Sequence, residues 1–326
     1  MTVMKFQHSR ERRHEMHKAV VFDRFGGPEV LRIAEVGDQE PGEGQCLVEV
    51  RACGVNPIDA KIRAGRNFVC EHNRDKPFPW TLGYDCAGVV AKAGPGSVFK
   101  EGDRIFGQAG FPYDPRGYAQ MALVDDDSMM ALPKGVSFEA AAASVSAGLT
   151  ALTIMRMLPP PPLKVLVSGA TGGVGHILVR ALLKRGYAVA GTASAGKLDF
   201  LRSLGDVEAH DYARPLPDGL ERSFGAIVDM PGGKAGIAMY RYLEDGGLLV
   251  SVPTITAKEV CAAAPERVRA SGVLASHDGE LRRELVRMLE AGVLPHVSET
   301  LALAECARAH ELIGSGHTAG KIVLIP

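Results

Sequence analysis

Residues 164–175, KVLVSGATGGVG, decide how this 326-residue chain is read. Lys164–Ser168 is rich in Val and Leu and predicts a short buried strand. It runs into a turn containing Gly169, Gly172, Gly173 and Gly175, after which HILVRALLK (176–184) carries helical periodicity. Strand, glycine turn and helix in that order suit a pyrophosphate. Glycines let the backbone approach closely, and a helix N-terminus offers free N–H groups and the positive end of a dipole. The pattern is G-x-G-x-x-G with Ala170 in the first place, and its strand–turn–helix setting gives it weight. A glycine-rich turn in some other α/β protein is the alternative.

Outward from this motif the periodicity keeps alternating between strand and helix: 164–168, 174–185, 187–193, 197–204, 225–229, 234–242 and 246–251. Such alternation predicts a doubly wound parallel sheet with helices on both faces. RASGVLAS (269–276) supplies a last strand, followed by helix-like stretches at 280–291 and 302–313 and a final strand at 321–325. Upstream, the first 130 or so residues are β-rich. Short runs such as KAVVF (18–22), CLVEVRAC (46–53) and CAGVVAKA (86–93) are separated by turn signals. Ser137 then caps a long Ala-rich helix, and Pro159–Pro162 forms a stiff connector.

Composition narrows the function classes. Hydrophobic residues make up 46% and charged residues 23%, as in an ordinary soluble protein. Lys plus Arg number 37 against 38 acids, so no net field favours nucleic acid or an anionic membrane. The six cysteines contain no C-x-x-C pair, which fits a reducing, cytoplasmic setting better than a disulfide framework. The apolar stretch Phe138–Leu158 is interrupted by Glu139, Gly148 and Arg156 and reads as interior helix, not a membrane span. Residues 1–15 are polar and basic, lack the apolar core of a signal peptide, and read as a disordered tail.

Seven motifs in order now carry a family resemblance: KAVVFDRFGGPEVL (18–31), RACGVNPIDAKIRAG (51–65), LGYDCAGVV (82–90), EGDRIFG (101–107), SAGLTAL (146–152), GATGGVG (169–175) and GHTAGKIVLIP (316–326). The chain resembles the zinc-independent quinone oxidoreductase and ζ-crystallin branch of the medium-chain dehydrogenases/reductases. The resemblance implies a GroES-like β-rich catalytic domain, 16–136 with 277–326, interrupted by a Rossmann domain, 137–276. Zinc-dependent relatives place Cys where this chain has Asn56, and His-Glu where it has Tyr84-Asp85. Asn and Tyr are poor zinc ligands, and the four-cysteine lobe is missing, so no metal is expected.

The resemblance places Asn56, Thr150, Ala170, Thr171, Gly172, Gly173, Val174, Pro253 and Lys321 around the cofactor. NAD-specific sites carry an acid about twenty residues past the first glycine. Here that position offers Ser194 and Lys197, a hydroxyl and a cation suited to a 2′-phosphate, and Tyr212 matches a phosphate-side contact of the quinone reductases. The expected cofactor is therefore NADPH, with Asp199 as the competing acid. Without a metal, reduction of an activated double bond is easier to support than alcohol oxidation. The implied activity is NADPH-dependent reduction of a small-molecule quinone or α,β-unsaturated carbonyl, with Asn56 and Tyr84 as candidate donors to the developing oxyanion. The alternatives are that Asn56 orders the loop beside Pro57 and that Tyr84 is a packed strand residue, the reading favoured for Tyr84. Asp59 and Asp85 match positions with a structural role. A homodimer is implied, paired near Val268–Ala275. The rivals are a biosynthetic enoyl reductase and a cofactor-binding protein with little catalysis, crystallin-like or RNA-binding.

Overall fold

The computed structural model describes residues 16–37 and 39–326, so the expected tail at 1–15 lies outside the described residues. Strands β1 (Met16–Phe22) and β2 (Arg32–Gly37) form an antiparallel pair. The chain continues through β3 (Gln45–Gly54), helices α1 (Pro57–Arg63) and α2 (Phe68–His72), and the short β4 (Trp80–Thr81), which pairs with β1. Next come β5 (Asp85–Ala93), β6 (Arg104–Gln108), β7 (Met121–Asp125) and β8 (Met129–Ala131). Helix α3 (Phe138–Met157) follows, its first turn capped by the Ser137 hydroxyl, which accepts from Ala140 N–H at 3.1 Å.

The alternating region supplies β9 (Lys164–Ser168), α4 (Gly175–Lys184), β10 (Ala188–Ala193), α5 (Leu198–Ser203), β11 (Val207–Asp211), β12 (Phe224–Asp229), α6 (Gly233–Ala238), β13 (Leu243–Ser251), α7 (Ala257–Ala262) and β14 (Arg269–Gly272). The chain ends with α8 (Gly279–Glu290), β15 (Val297–Ala302), α9 (Cys306–Gly314) and β16 (Lys321–Ile325). Three corrections to the periodicity reading follow. Strands β11 and β15 and helix α7 carry no pattern strong enough to be read. The stretch 234–242 is α6 followed by a 3₁₀ turn, Met239–Tyr242, and 302–313 is likewise a 3₁₀ turn, Leu303–Glu305, leading into α9.

The six alternating strands form one sheet in the order β11-β10-β9-β12-β13-β14, every pair parallel. The order reverses between β9 and β12, so the crevice outside the carboxyl ends of the strands opens beside the glycine turn that follows β9. A second sheet runs β15-β16-β3-β5-β6-β8, with β7 also on β3. The last strand returns across the whole chain: Val323 lies opposite Gly54 and Leu324 opposite Cys53. Helix α3 is the one described helix long and apolar enough to cross a membrane, but it packs against β3, β5 and β6 on one side and α4 and α8 on the other. It is the interior helix expected from the sequence.

Candidate dinucleotide and substrate site

Gly169 opens the turn in the left-handed region (φ 77°) and donates its N–H to Thr192 Oγ1 at 3.1 Å, while Ala170 N–H donates to Thr192 O at 2.9 Å. A Cβ on Gly175 would stand 2.4 Å from Gly169 O, so the fold itself demands that glycine. Gly172 and Gly173 differ. A Cβ there would meet nothing closer than Gly169 O at 3.5 Å and the Lys321 stem at 3.3 Å, respectively. The space they leave open lies at the N-terminus of α4, where Val174 is the capping position and Ala170 and Thr171 are buried.

His176, missed in the sequence, braces this turn. It is fully buried; its Nε2 accepts from His296 N–H at 2.9 Å, so its Nδ1 carries the proton and donates to Gly172 O at 2.7 Å. Gly320 N–H donates to Thr171 O and Lys321 N–H to His296 O, both at 2.9 Å, which ties the turn to the segments before β15 and β16.

At the carboxyl end of β10, Ser194 is half-buried and its hydroxyl has no partner among the described residues. Lys197 Nζ donates to His317 O at 2.5 Å, and Tyr212 is exposed. Asp199, the competing acid, sits on α5 pointing into solvent and pairs with Arg202 at 2.8 Å. Pro253 follows β13 at the same sheet edge, and Thr150 on α3 donates its hydroxyl to Ser146 O at 2.7 Å.

Between the two sheets lies a hydrogen-bonded chain whose donors all point toward Asp85. Lys321 is 4% exposed; its stem passes Gly173, and its ammonium donates to Val55 O at 2.7 Å and Asn56 Oδ1 at 2.5 Å. Asn56 Nδ2 donates to Asp85 Oδ2 at 2.8 Å and toward Gly54 O at 3.4 Å. From the other side, Ser146 donates its N–H (2.9 Å) and hydroxyl (2.6 Å) to the same carboxylate. Gln108 Nε2 donates to Ser146 Oγ at 3.2 Å, and Gln108 Oε1 faces His277 Nδ1 at 2.8 Å. Burial raises the Asp85 carboxyl, and Lys321, Ser146 and Asn56 oppose that rise. Asp59 accepts from Asn56 N–H at 2.9 Å and Tyr118 OH at 2.7 Å, and burial pushes it up to about 7.

Both expected donors already have partners within the chain. Tyr84 is 1% exposed and its hydroxyl donates to Pro112 O at 2.7 Å, the packed position. The Asn56 amide is turned inward, with its N–H groups on Asp85 and Gly54 and its oxygen on Lys321. Among the described residues, no three His, Cys, Asp or Glu side chains stand together as a metal cluster.

The buried histidines make stability depend on pH. Burial pushes His176 and His277 down to about 4 and His310 to about 3. Each binds its proton near pH 6.5 when unfolded, so its contribution is full above that value and is lost as the pH falls toward the folded value. Asp59, raised to about 7, has the opposite sign and gains stability over the same range. The raised Asp85 and Asp229 act in the same sense as Asp59, but the three histidine losses dominate, and urea unfolding should show a net fall in stability between pH 7 and 5. Stability that is flat or rising over that range would contradict these assignments.

Residues 42–142 match the family described as the alcohol dehydrogenase GroES-like domain, and residues 204–324 the one described as zinc-binding dehydrogenase. A quinone oxidoreductase of Mus musculus is 31% identical over 340 residues, covering 95% of this chain and 98% of its own. The chain belongs to the quinone oxidoreductase branch of the medium-chain dehydrogenases/reductases. Another relative, the NADPH-dependent alkenal/one oxidoreductase of Arabidopsis thaliana chloroplasts, is 30% identical over 95% of this chain and 79% of its own. The solved quinone oxidoreductase of Coxiella burnetii, 33% identical, superimposes with a TM-score of 0.87 over 96% of this chain and all of its own. The return of β16 to β3 joins the two ends of the chain in one sheet, and Gly173, Lys321 and Asn56 meet beside it.

Proposed function

We propose that the chain reduces small-molecule quinones or α,β-unsaturated carbonyls with NADPH and without a metal. The observation that carries this reading is the meeting of the glycine turn with Asn56 through one buried lysine. Gly172 leaves open the space that a side chain would fill, and Gly173 lets the Lys321 stem pass close, so the turn fits a dinucleotide pyrophosphate. Ala170, Thr171, Gly172, Gly173 and Val174 would hold it, with Ser194, Lys197 and Tyr212 on the adenosine-phosphate side and Thr150, Pro253, Asn56 and Lys321 toward the nicotinamide. Bound NADPH supplies a hydride, and negative charge grows on the conjugated oxygen of the acceptor. The chain answers that charge with a cation already in place. The Lys321 ammonium is held on Val55 O and Asn56 Oδ1, and its third N–H is uncommitted. Asp85 orients Asn56, and His176 fixes the turn opposite. This lysine stands beside the loop where zinc-dependent relatives place a metal ligand, which supports metal-free chemistry.

The absence of an acid at the end of β10 supports NADPH over NADH. Lys197→Ala should lower the preference for NADPH over NADH in kcat/KM by about tenfold, the worth of one charge-assisted contact at a half-exposed site. An unchanged preference would remove Lys197 from the phosphate side.

We also assign 16–136 with 277–326 to the catalytic domain and 137–276 to the cofactor domain, supported by the pairing of β16 with β3. A cytoplasmic homodimer completes the reading. Among the described residues strand β14 is a sheet edge paired only with β13, and Leu274, two residues beyond it, is 83% exposed. An open sheet edge beside an exposed leucine is one that proteins ordinarily cover.

A further inference from the structure

We infer that His277 is a specificity-determining residue of this site, presenting a hydrogen-bond acceptor to a hydroxyl group carried by the substrate. The inference rests on the reductase reading above and extends it to a substrate class: quinones or enones that bear a hydroxyl.

The direction of the buried network fixes what His277 can do. Asp85 is the acceptor at its centre, so the Ser146 hydroxyl donates to it and takes Gln108 Nε2 on its own lone pair. The Gln108 amide oxygen is then left facing His277 Nδ1, which must carry the proton and donate. His277 Nε2 is therefore a lone pair and nothing else. It has no partner among the described residues and is absent from their fully buried, unsatisfied atoms. Burial, aided by Arg282 and opposed by Asp278, pushes the ring down to about 4. At neutral pH it accepts a hydrogen bond and does not serve as a proton donor.

Its place in the fold sets the residue beside the crevice. His277 lies five residues beyond β14, at the same carboxyl edge of the parallel sheet as the glycine turn, and it reaches across to Gln108 at the end of β6. Ser276 N–H is pinned to Thr153 Oγ1 of α3 at 3.1 Å, which fixes the approach. The Phe111 ring packs on the imidazole at 4.2 Å between centroids and meets Tyr84 edge-on at 5.4 Å. The imidazole thus stands between the Phe111 ring and the Gln108 amide, with one acceptor left open. A site built to bond a hydroxyl discriminates against the analogue that lacks it, because the acceptor is then left unpaired.

The test compares matched pairs: 4-hydroxy-2-nonenal with 2-nonenal, and 2-(hydroxymethyl)-1,4-naphthoquinone with 2-methyl-1,4-naphthoquinone. The readout is the ratio of kcat/KM within a pair, using NADPH. The unsubstituted enzyme should favour the hydroxylated member by about tenfold in at least one pair. His277→Phe, which keeps a ring against Phe111 and removes both nitrogens, should bring that ratio to about one. His277→Gln, which restores a carbonyl oxygen near the Nε2 position, should recover part of it. A ratio unchanged in His277→Phe, or no preference in the unsubstituted enzyme, overturns the assignment and leaves His277 as a latch between the sheets. Absence of turnover on every member by the unsubstituted enzyme overturns the reductase reading itself, and this inference with it.

Discussion

Replacing Lys321 with methionine should cost about 1–3 kcal/mol of folding stability, the range for leaving buried hydrogen-bond partners unsatisfied. The side chain is 4% exposed, and its ammonium sits among the Val55 carbonyl, the Asn56 amide oxygen and the fields of Asp85 and Asp59. Methionine fills similar volume but removes the cation that faces the Asp85 carboxylate and strands the lone pairs of Val55 and Asn56. The loss should be measured by urea unfolding at pH 7. Asp85→Asn in the same background should recover part of it, because the uncompensated charge is then gone; a double-mutant cycle reads that coupling directly. A loss below about 1 kcal/mol would show that Lys321 does not balance the buried acids.

The glycine turn gives a second large effect with two opposed parts. Gly175→Ala pushes a methyl group to 2.4 Å from Gly169 O, so the turn must open. It should lose about 1–3 kcal/mol of stability and at least about a hundredfold in NADPH affinity. Gly172→Ala meets no backbone closer than 3.5 Å, and its φ is not in the left-handed region. Its stability should stay level or rise by up to about 1 kcal/mol, since alanine restricts the unfolded chain. Its NADPH affinity should nonetheless fall by about tenfold or more, because the methyl group occupies space the proposed pyrophosphate needs. Calorimetric titration and thermal unfolding on the same preparations separate the two. A Gly172→Ala protein that binds NADPH as tightly as its parent would place the dinucleotide elsewhere.

The parallel sheet was legible because its central strands are buried on both faces and read as continuous apolar runs, as in Lys164–Ser168 and Phe224–Asp229. The unread strands lie at edges. Val207–Asp211 and Val297–Ala302 are polar and half-exposed, and neither carries the run that marks a central strand. The site divides the same way. Its glycines, Asn56 and Lys321 stand in contiguous motifs. The partners that orient them do not: His176 looks like any apolar-face helix residue, and Gln108 finds His277 across 169 positions. Tyr84 shows the limit from the other direction. Residue type marked it as a donor, but which acceptor its hydroxyl meets is decided by the Pro112 carbonyl, in a loop the sequence did not place.

The central claim is tested most directly by mixing the purified protein with NADPH, and separately NADH, and following cofactor oxidation against a panel of quinones and short enones. The account predicts saturable turnover with NADPH, a clear preference over NADH, and activity that survives exhaustive chelation. Failure to bind either dinucleotide, or turnover that disappears with chelation and returns with zinc, would contradict it.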